Sequence, residues 1–403
     1  MSLLQDIAIW AIASALVIAG AEFGRQFIRP DQETSFCQAL AWHDGYNYAH
    51  VAADGYSYTP GDASYVAFFP AYPLASRWLS HVTGLAIIPA MLLVANFFGA
   101  LAFAVAGAYL RRRAQLGRHE GTPSSPEAGV RAEAINYAIL SMGLLPATFF
   151  LRMAYTESMF LLLSILTLYG ISRRWPLALL AVTVGLATAV RPVGVALLVP
   201  LSWYVLQSSG SKMASLRRLG WTLPLACWGL AGYIVFQAIE FHQPFAFAIT
   251  QHYHRVRPFG TFSDEVLSLL SWEPIWDAYN PGSPGYWQAL GHVSSRLFSL
   301  DFMNPICLCA TAALITIGAW KRWLTSYEIV LALPLIAIPY FTRAYEMRML
   351  SQARFMVVVF PAYIVLGRLL SRLPRVVSCA ILAFSGFLMG SLAALFAAGY
   401  WLI

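Results

Sequence analysis

Charge is what this sequence has least of. Of 403 residues only 11% are Asp, Glu, Lys or Arg, against 59% hydrophobic. An ordinary soluble domain is roughly 25% charged. So few charges cannot cover a globule of this size in water, and lipid must cover much of the surface instead. Cysteine is also sparse: Cys37, Cys227, Cys307, Cys309 and Cys379 show no CxxC spacing and no Cys/His grouping, and all but Cys37 read as small packing residues in apolar stretches. Neither a GxGxxG after a strand nor a GxxxxGK[ST] loop occurs, which argues against cytosolic ATP or nucleotide-sugar chemistry. The net charge of +7 comes without the clustered basic face that nucleic-acid binding needs, so no nucleic-acid partner is expected. No cleavable signal is evident, because the first apolar stretch, Ile7–Phe27, is too long for a signal h-region.

What the chain has in abundance is apolar runs. A spanning helix needs roughly 20 apolar residues. Candidates are Ile7–Phe27, Leu85–Leu110, Ala134–Leu151, Ser158–Ile171, Pro176–Val190, Val193–Leu206, Trp221–Ile239, Phe302–Trp320, Tyr327–Phe341, Phe355–Leu370 and Val376–Trp401. The expectation is therefore an all-α polytopic membrane protein, one domain over residues 1–403, with about eleven spans. Lys and Arg set its orientation. With the N-terminus in the cytoplasm, the inner loops hold Arg111, Arg112, Arg113, Arg118 and Arg131; Arg173 and Arg174; Lys212, Arg217 and Arg218; Lys321 and Arg322; and Arg368, Arg372 and Arg375, fifteen of the 26 basic residues. Met1 is then inside and Ile403 outside. The inner loops are otherwise plain, Gly117–Gly129 being a Gly/Ser/Pro-rich linker.

The outer side differs. Two long loops, about 28–84 and 242–301, hold seven of the eight histidines, all but His119: His43, His50, His81, His242, His252, His254 and His292. They also carry Asp31, Glu33, Asp44, Asp54, Asp62, Asp264, Glu265, Glu273 and Asp277. Loops on a rigid scaffold are where binding and catalysis concentrate, although any single loop acid is more often just solvated. Their Trp, Tyr, Phe and Pro content suggests partly helical, amphipathic segments lying along the outer membrane surface. Further ionisable groups sit at outer span ends: Arg152, AYTESMF (Ala154–Phe160), Arg191 and RAYEMRMLSQAR (Arg343–Arg354). Such groups near hydrocarbon need partners or a wet cavity, which points to a polar basin in the outer leaflet; snorkelling Arg is the plainer alternative for each.

The runs HDGYNYAHVAADGYSY (His43–Tyr58) and VAFFPAYP (Val66–Pro73) resemble the first outer loop of the PIG-V type of mannosyltransferases. That group adds the second mannose of the GPI anchor, has bacterial relatives, and belongs to the GT-C class of polytopic glycosyltransferases. AYTESMF, RPVGVAL (Arg191–Leu197), QPFAFAITQHYHR (Gln243–Arg255) and SQARFMVVVFP (Ser351–Pro361) are similar to further signatures of the family, in the expected order. The family usually has Trp directly before its acid. Here His43 intervenes and the Trp is Trp42, while Asp44 still aligns with the acid when counted from Gly55-Tyr56.

The resemblance implies a GT-C fold and an inverting transfer of a sugar, mannose in the named family, from a polyprenyl-phosphate donor to a hydroxyl of a glycan or glycolipid acceptor. The transfer would take place on the non-cytoplasmic side of a plasma membrane, or of the endoplasmic reticulum in a eukaryote. One carboxylate suffices as base for the hydroxyl, because the phosphate is already an activated leaving group. Asp44 takes that role, with Asp62 and Asp54 as rivals, although both rivals sit in turn contexts beside glycine. The phosphate wants fixed positive charge; Arg191, Arg354, His252, His254, Arg255 and Arg152 are the candidates. Trp42, His43, Tyr46, Asp62, Tyr155 and Glu157 are candidate substrate contacts, and Glu157 could instead orient Arg152. No metal or other cofactor is expected. The competing class is a secondary transporter or flippase, which would place its site near the midplane between repeated halves; no such repeat is visible.

Overall fold

The computed structural model describes residues 3–30, 33–116, 127–289 and 295–402, without the side chains of 127–131. Asp31, Arg118, His119, Ser124, His292 and the side chain of Arg131 therefore lie outside the described residues. Among those described, every regular element is helical, as expected where lipid offers the backbone no hydrogen bonds. The longer helices are α1 (Leu3–Phe23), α2 (Asp44–Asp54), α3 (Ala71–Thr83), α4 (Ile87–Leu116), α5 (Glu127–Leu144), α6 (Glu157–Ser172) and α7 (Leu177–Val190). They continue as α8 (Leu198–Ser208), α9 (Lys212–Ala226), α10 (Trp228–Phe241), α11 (Leu300–Trp320), α12 (Ser326–Pro339), α13 (Phe360–Leu370) and α14 (Arg375–Ala397).

The chain is a multi-pass membrane protein. Among the described residues, five helical stretches are long and apolar enough to cross a bilayer: Leu3–Ile28, Ile87–Leu116, Leu300–Trp320, Ser326–Ala344 and Arg375–Ala397. The number is seven if each of two bent pairs is one span. In the first pair α5 turns by 72° into a 3₁₀ segment, Pro146–Arg152; in the second α9 turns by 52° into α10. Pro146 begins the first new segment, where its missing N–H costs least. Four apolar helices are shorter: Glu157–Ser172, Leu177–Val190, Pro192–Ser208 and Phe360–Leu370. An expected count of eleven requires all four to cross as well.

The bundle has two chemically different ends. At one, Asp6 of α1 is fully buried and 2.7 Å from Arg111. Glu328, also fully buried, takes Arg113 at 2.7 Å and the Tyr109 hydroxyl at 2.7 Å, while Arg112 donates to the Ser172 carbonyl. The Arg run at the end of α4 thus ties α1, α6 and α12 together rather than standing free.

At the other end lie the two long loops, built of short helices. On α3, Leu74, Trp78 and Val82 are exposed four residues apart, and Phe262, Val266 and Leu270 repeat the pattern on the helix Phe262–Leu270. These are apolar stripes of the kind that lie in a membrane surface.

α1 and α14 approach closely through small residues. A Cβ on Gly20 would overlap the Gly390 carbonyl, and one on Gly24 the Ala394 carbonyl. Small residues let spanning helices pack backbone to backbone. Gly20→Val is expected to destabilise the protein by about 1–3 kcal/mol, read as a lower thermal midpoint in detergent. Gly232→Ala, where a Cβ would meet nothing within 4 Å, should leave that midpoint in place.

Candidate active site

Asp44 opens α2, and the backbone before it is unusual. His43 has φ 59°, ψ −118°, a region sparsely populated by non-glycine residues and concentrated at functional sites. The turn is held from three sides. Tyr155 donates its hydroxyl to the Trp42 carbonyl at 2.8 Å, Trp42 Nε1 reaches the Ala397 carbonyl at 3.3 Å, and His43 Nε2 lies 3.1 Å from the Tyr400 carbonyl. The His43 ring sits edge-on against Trp401 at 4.6 Å, and Trp42 meets Tyr46 edge-on at 5.3 Å. Gly45 fits closely, since a Cβ there would stand 3.3 Å from that of Ala41.

From this turn the Asp44 carboxylate reaches Arg354, with Oδ2 accepting from Nη1 at 2.7 Å. Its side chain keeps 24% exposure where that of Arg354 keeps 9%. Arg354 Nε lies 3.3 Å from Glu157 Oε1, and Arg191 Nη1 donates to the same oxygen at 2.8 Å. Glu157 is the first residue of α6, Arg191 follows the last of α7, and Arg354 rides on the short helix Gln352–Met356. With the start of α2, four separate segments therefore bring Asp44, Arg354, Glu157 and Arg191 into one chain of ion pairs. Tyr155 and Phe355 flank it, 5.2 and 5.4 Å from the Arg354 guanidinium carbon, and Arg191 lies 5.4 Å from the Phe355 ring.

A second cluster forms around Glu346, which is 4% exposed. Its carboxylate takes Arg343 at 3.0 Å, His252 at 3.0 Å and Arg255 at 3.7 Å. Its backbone carbonyl accepts from the amides of Val256 and Arg257, and Arg343 donates to the His254 carbonyl at 2.8 Å. Glu346 thus docks the second long loop on the segment leading to Arg354. That segment holds Arg348, Met349 and Ser351 at φ 48°, 66° and 67°, three strained non-glycine residues within four positions. Asn304 anchors it by accepting from the Ala353 amide at 2.8 Å.

The two clusters share one field. Burial alone would push the Asp44 carboxyl up, but the Arg354 charge and hydrogen bond, helped by His43 and His254, hold it below the ordinary aspartate range. The Arg354 guanidinium is raised in turn by Asp44 and Glu157, against its own burial. The sign follows. A lowered carboxylate stays ionised through neutral pH, and its pairing energy is lost only as pH falls through the folded-state value, below the unfolded one near 3.8. In Arg354→Gln the burial penalty remains without the cation. If Asp44 acts as a base, the acid limb it contributes to a pH–rate profile should therefore move up toward neutrality in that variant. An unmoved acid limb in that variant would mean that another group sets it.

Most sequence candidates converge here: Asp44, Arg354, Arg191, Glu157 and Tyr155 directly, and His252, His254 and Arg255 through the Glu346 cluster. Others do not. Arg152, 3% exposed, lies 4.1 Å from the Trp10 ring and donates to the Thr148 carbonyl at 2.9 Å. Glu157 accordingly orients Arg191 and Arg354, and forms no hydrogen bond or ion pair with Arg152. Asp62 is exposed, its carboxylate accepting from the Ala63 amide at 2.7 Å while its carbonyl takes the Thr250 hydroxyl; it braces the two loops against each other. Asp54 pairs with His50 at 3.1 Å, one helical turn back on α2. Trp42 and His43 face the C-terminal segment and support the turn. Sequence reasoning passed over Glu346 and Arg343, whose i, i+3 spacing in an apolar neighbourhood was the available signal. Among the described residues, no group of three or more His, Cys, Asp or Glu is placed to hold a metal ion.

No family model matches the chain, and neither does any curated protein. Among solved structures it is similar to the oligosaccharyltransferase of Archaeoglobus fulgidus. One such structure, tethered to an acceptor peptide containing the NVT sequon, is 12% identical with TM-score 0.42, over 96% of this chain and 55% of that one. Another, with Zn and sulfate, is 11% identical with TM-score 0.39, over 94% and 53%. A third, AglB with an inhibitory peptide and a dolichol-phosphate, is 11% identical with TM-score 0.42, over 96% and 56%. This chain thus spans little more than half the length of the solved structures it matches.

Proposed function

We propose that this protein is a glycosyltransferase that moves one sugar from a polyprenyl-phosphate donor to an acceptor hydroxyl on the extracytoplasmic face of its membrane. A mannosyl donor of the kind used by the family it resembles is the first choice. The observation that carries this reading is the partly exposed carboxylate of Asp44, 2.7 Å from a guanidinium, within a group in which four arginines and one histidine meet three carboxylates. In such a site Asp44 takes the acceptor's hydroxyl proton. The acceptor oxygen attacks C1 of the sugar, the bond from C1 to the phosphate oxygen breaks with inversion, and the departing phosphate keeps the bonding electrons. Arg354 and Arg191 supply the charge that stabilises it, and Arg343 and Arg255 extend the cationic wall, with His252 and His254 beside them as hydrogen-bonding groups. Arg354 occupies Asp44 in the ion-paired arrangement; a donor phosphate that engages Arg354 frees Asp44 to act as base.

The decisive experiment incubates the purified protein with polyprenyl-phosphate mannose and an acceptor panel, read by mass spectrometry. A product heavier by one hexose supports the reading. Intact donor with every acceptor and every polyprenyl-phosphate sugar tried would end it.

Eleven crossings with Met1 inside and Ile403 outside belong to the same proposal. The contacts of Asp6, Arg112 and Glu328 gather the basic loops at one end, which supports it. Reporter fusions at Ser124 and Ser263 should then report opposite sides, and a common side for both rules this topology out.

A further inference from the structure

A cavity unrelated to the Asp44 cluster lies at the far end of α7. That helix has Arg191 at its C-terminal end and Pro176–Ala178 at the other, about 20 Å away at 1.5 Å per residue. There a groove of about 690 Å³ opens between α7, α8 and α9, lined by Pro176–Ala178, Tyr204, Ser208, Arg217, Arg218 and Trp221. A water occupies roughly 30 Å³ of liquid, so the groove admits far more than a few waters. Its charge is not balanced locally. No Asp or Glu occurs anywhere between Glu157 and Glu240, while Arg173, Arg174, Lys212, Arg217 and Arg218 all fall in that interval. Arg217 forms no ion pair or hydrogen bond among the described residues, and Arg218 makes only 3.4 Å contacts to the Ser208 carbonyl and the Ser209 hydroxyl. The basic loops at the other corner of this end behave differently, since Arg111 and Arg113 are neutralised by buried Asp6 and Glu328.

We propose that this groove is a binding site for the headgroup of an anionic glycerophospholipid. Two arginines lining one groove suit a phosphate diester, which arginine grips bidentately. Tyr204 and Trp221 are the side chains that favour the headgroup level of a bilayer. Leu179, next to Ala178, and Leu206, two residues before Ser208, are 47% and 48% exposed, providing apolar surface for the acyl chains. A soluble phosphate would find the charge but would leave the aromatic and apolar parts of the groove unused.

Native mass spectrometry of the full chain in detergent tests this, with phosphatidylglycerol and phosphatidylcholine of matched chains titrated separately and inorganic phosphate as competitor. Phosphatidylglycerol should be retained about 10- to 100-fold more tightly than phosphatidylcholine, a preference that inorganic phosphate does not abolish. Arg217→Gln with Arg218→Gln should bring the two lipids together, whereas Arg354→Gln, at the Asp44 end, should keep the preference. If the double Gln variant fails to fold, Trp221→Ala serves, with an expected loss of part of the preference. Equal retention of the two lipids by the wild type overturns the proposal. So does an undiminished preference in the double Gln variant, or in Trp221→Ala where that variant stands in for it. Complete displacement by inorganic phosphate would make the groove a site for a free anion instead.

Discussion

Asp44→Asn is expected to lower transfer turnover by roughly 10²–10⁴-fold, the usual contribution of a general base, while donor binding survives. The substitution preserves shape and removes the only feature that lets the side chain take a proton. It also removes the negative partner of Arg354, leaving that guanidinium to Glu157 and to an arriving phosphate, so donor affinity should hold or tighten. The measurement is a steady-state assay with donor and acceptor varied separately, on protein shown by its melting curve to be folded. A variant that turns over at the wild-type rate would remove Asp44 from the role. Asp62→Asn is the matched comparison. Its carboxylate caps the next amide on an exposed turn, and the variant should stay close to wild type; a collapse there and not at Asp44 would transfer the assignment.

The second large effect concerns the cations. A charge-assisted contact contributes roughly 1.5–3 kcal/mol, so Arg191→Ala and Arg354→Ala should each weaken donor use about 10- to 100-fold. Their losses should not multiply. Both guanidiniums meet on one oxygen of Glu157, and residues in one network couple rather than add. Removing Arg191 leaves Glu157 to pull harder on Arg354, so part of the second loss is already incurred in the first variant. The double variant should therefore fall short of the product of the singles. Unchanged donor affinity in both single variants would take these arginines out of the donor site.

How much of this was legible in the sequence depended on distance along the chain. Apolar length marks a helix locally, and each of the eleven apolar stretches contains one. The bends were harder. Pro146 was visible, yet the run Ala134–Leu151 reads as one uninterrupted span because hydrophobicity does not change where the axis turns. At Cys227 even that signal was missing, and Pro224 upstream was the only hint. The acid at Asp44 could be singled out from its motif, but its partner Arg354 is 310 positions away, and no local pattern encodes such a pairing. Arg152 misled for the same reason. Its neighbours in sequence belong to the site, while its guanidinium turns back onto Trp10 of α1, a contact that packing alone decides. Glu346 was overlooked because an acid flanked by arginines looks like surface charge until burial shows that two arginines and a histidine depend on it.

The exposed stripes of α3 and of Phe262–Leu270 have a consequence for the acceptor. On the proposed reading, two helices with their exposed Leu, Trp, Val and Phe side chains in the headgroup layer would act as outriggers and fix the height at which the bundle rides. α3 packs against α2, the helix that begins with Asp44, so that height is passed to the carboxylate. An acceptor whose hydroxyl stands well above the lipid surface must bend down or be carried on a short tether. Acceptors should thus be sorted by reach as much as by chemistry: lengthening the spacer between a lipid anchor and the sugar that receives the transfer should slow the reaction even when the terminal sugar is unchanged.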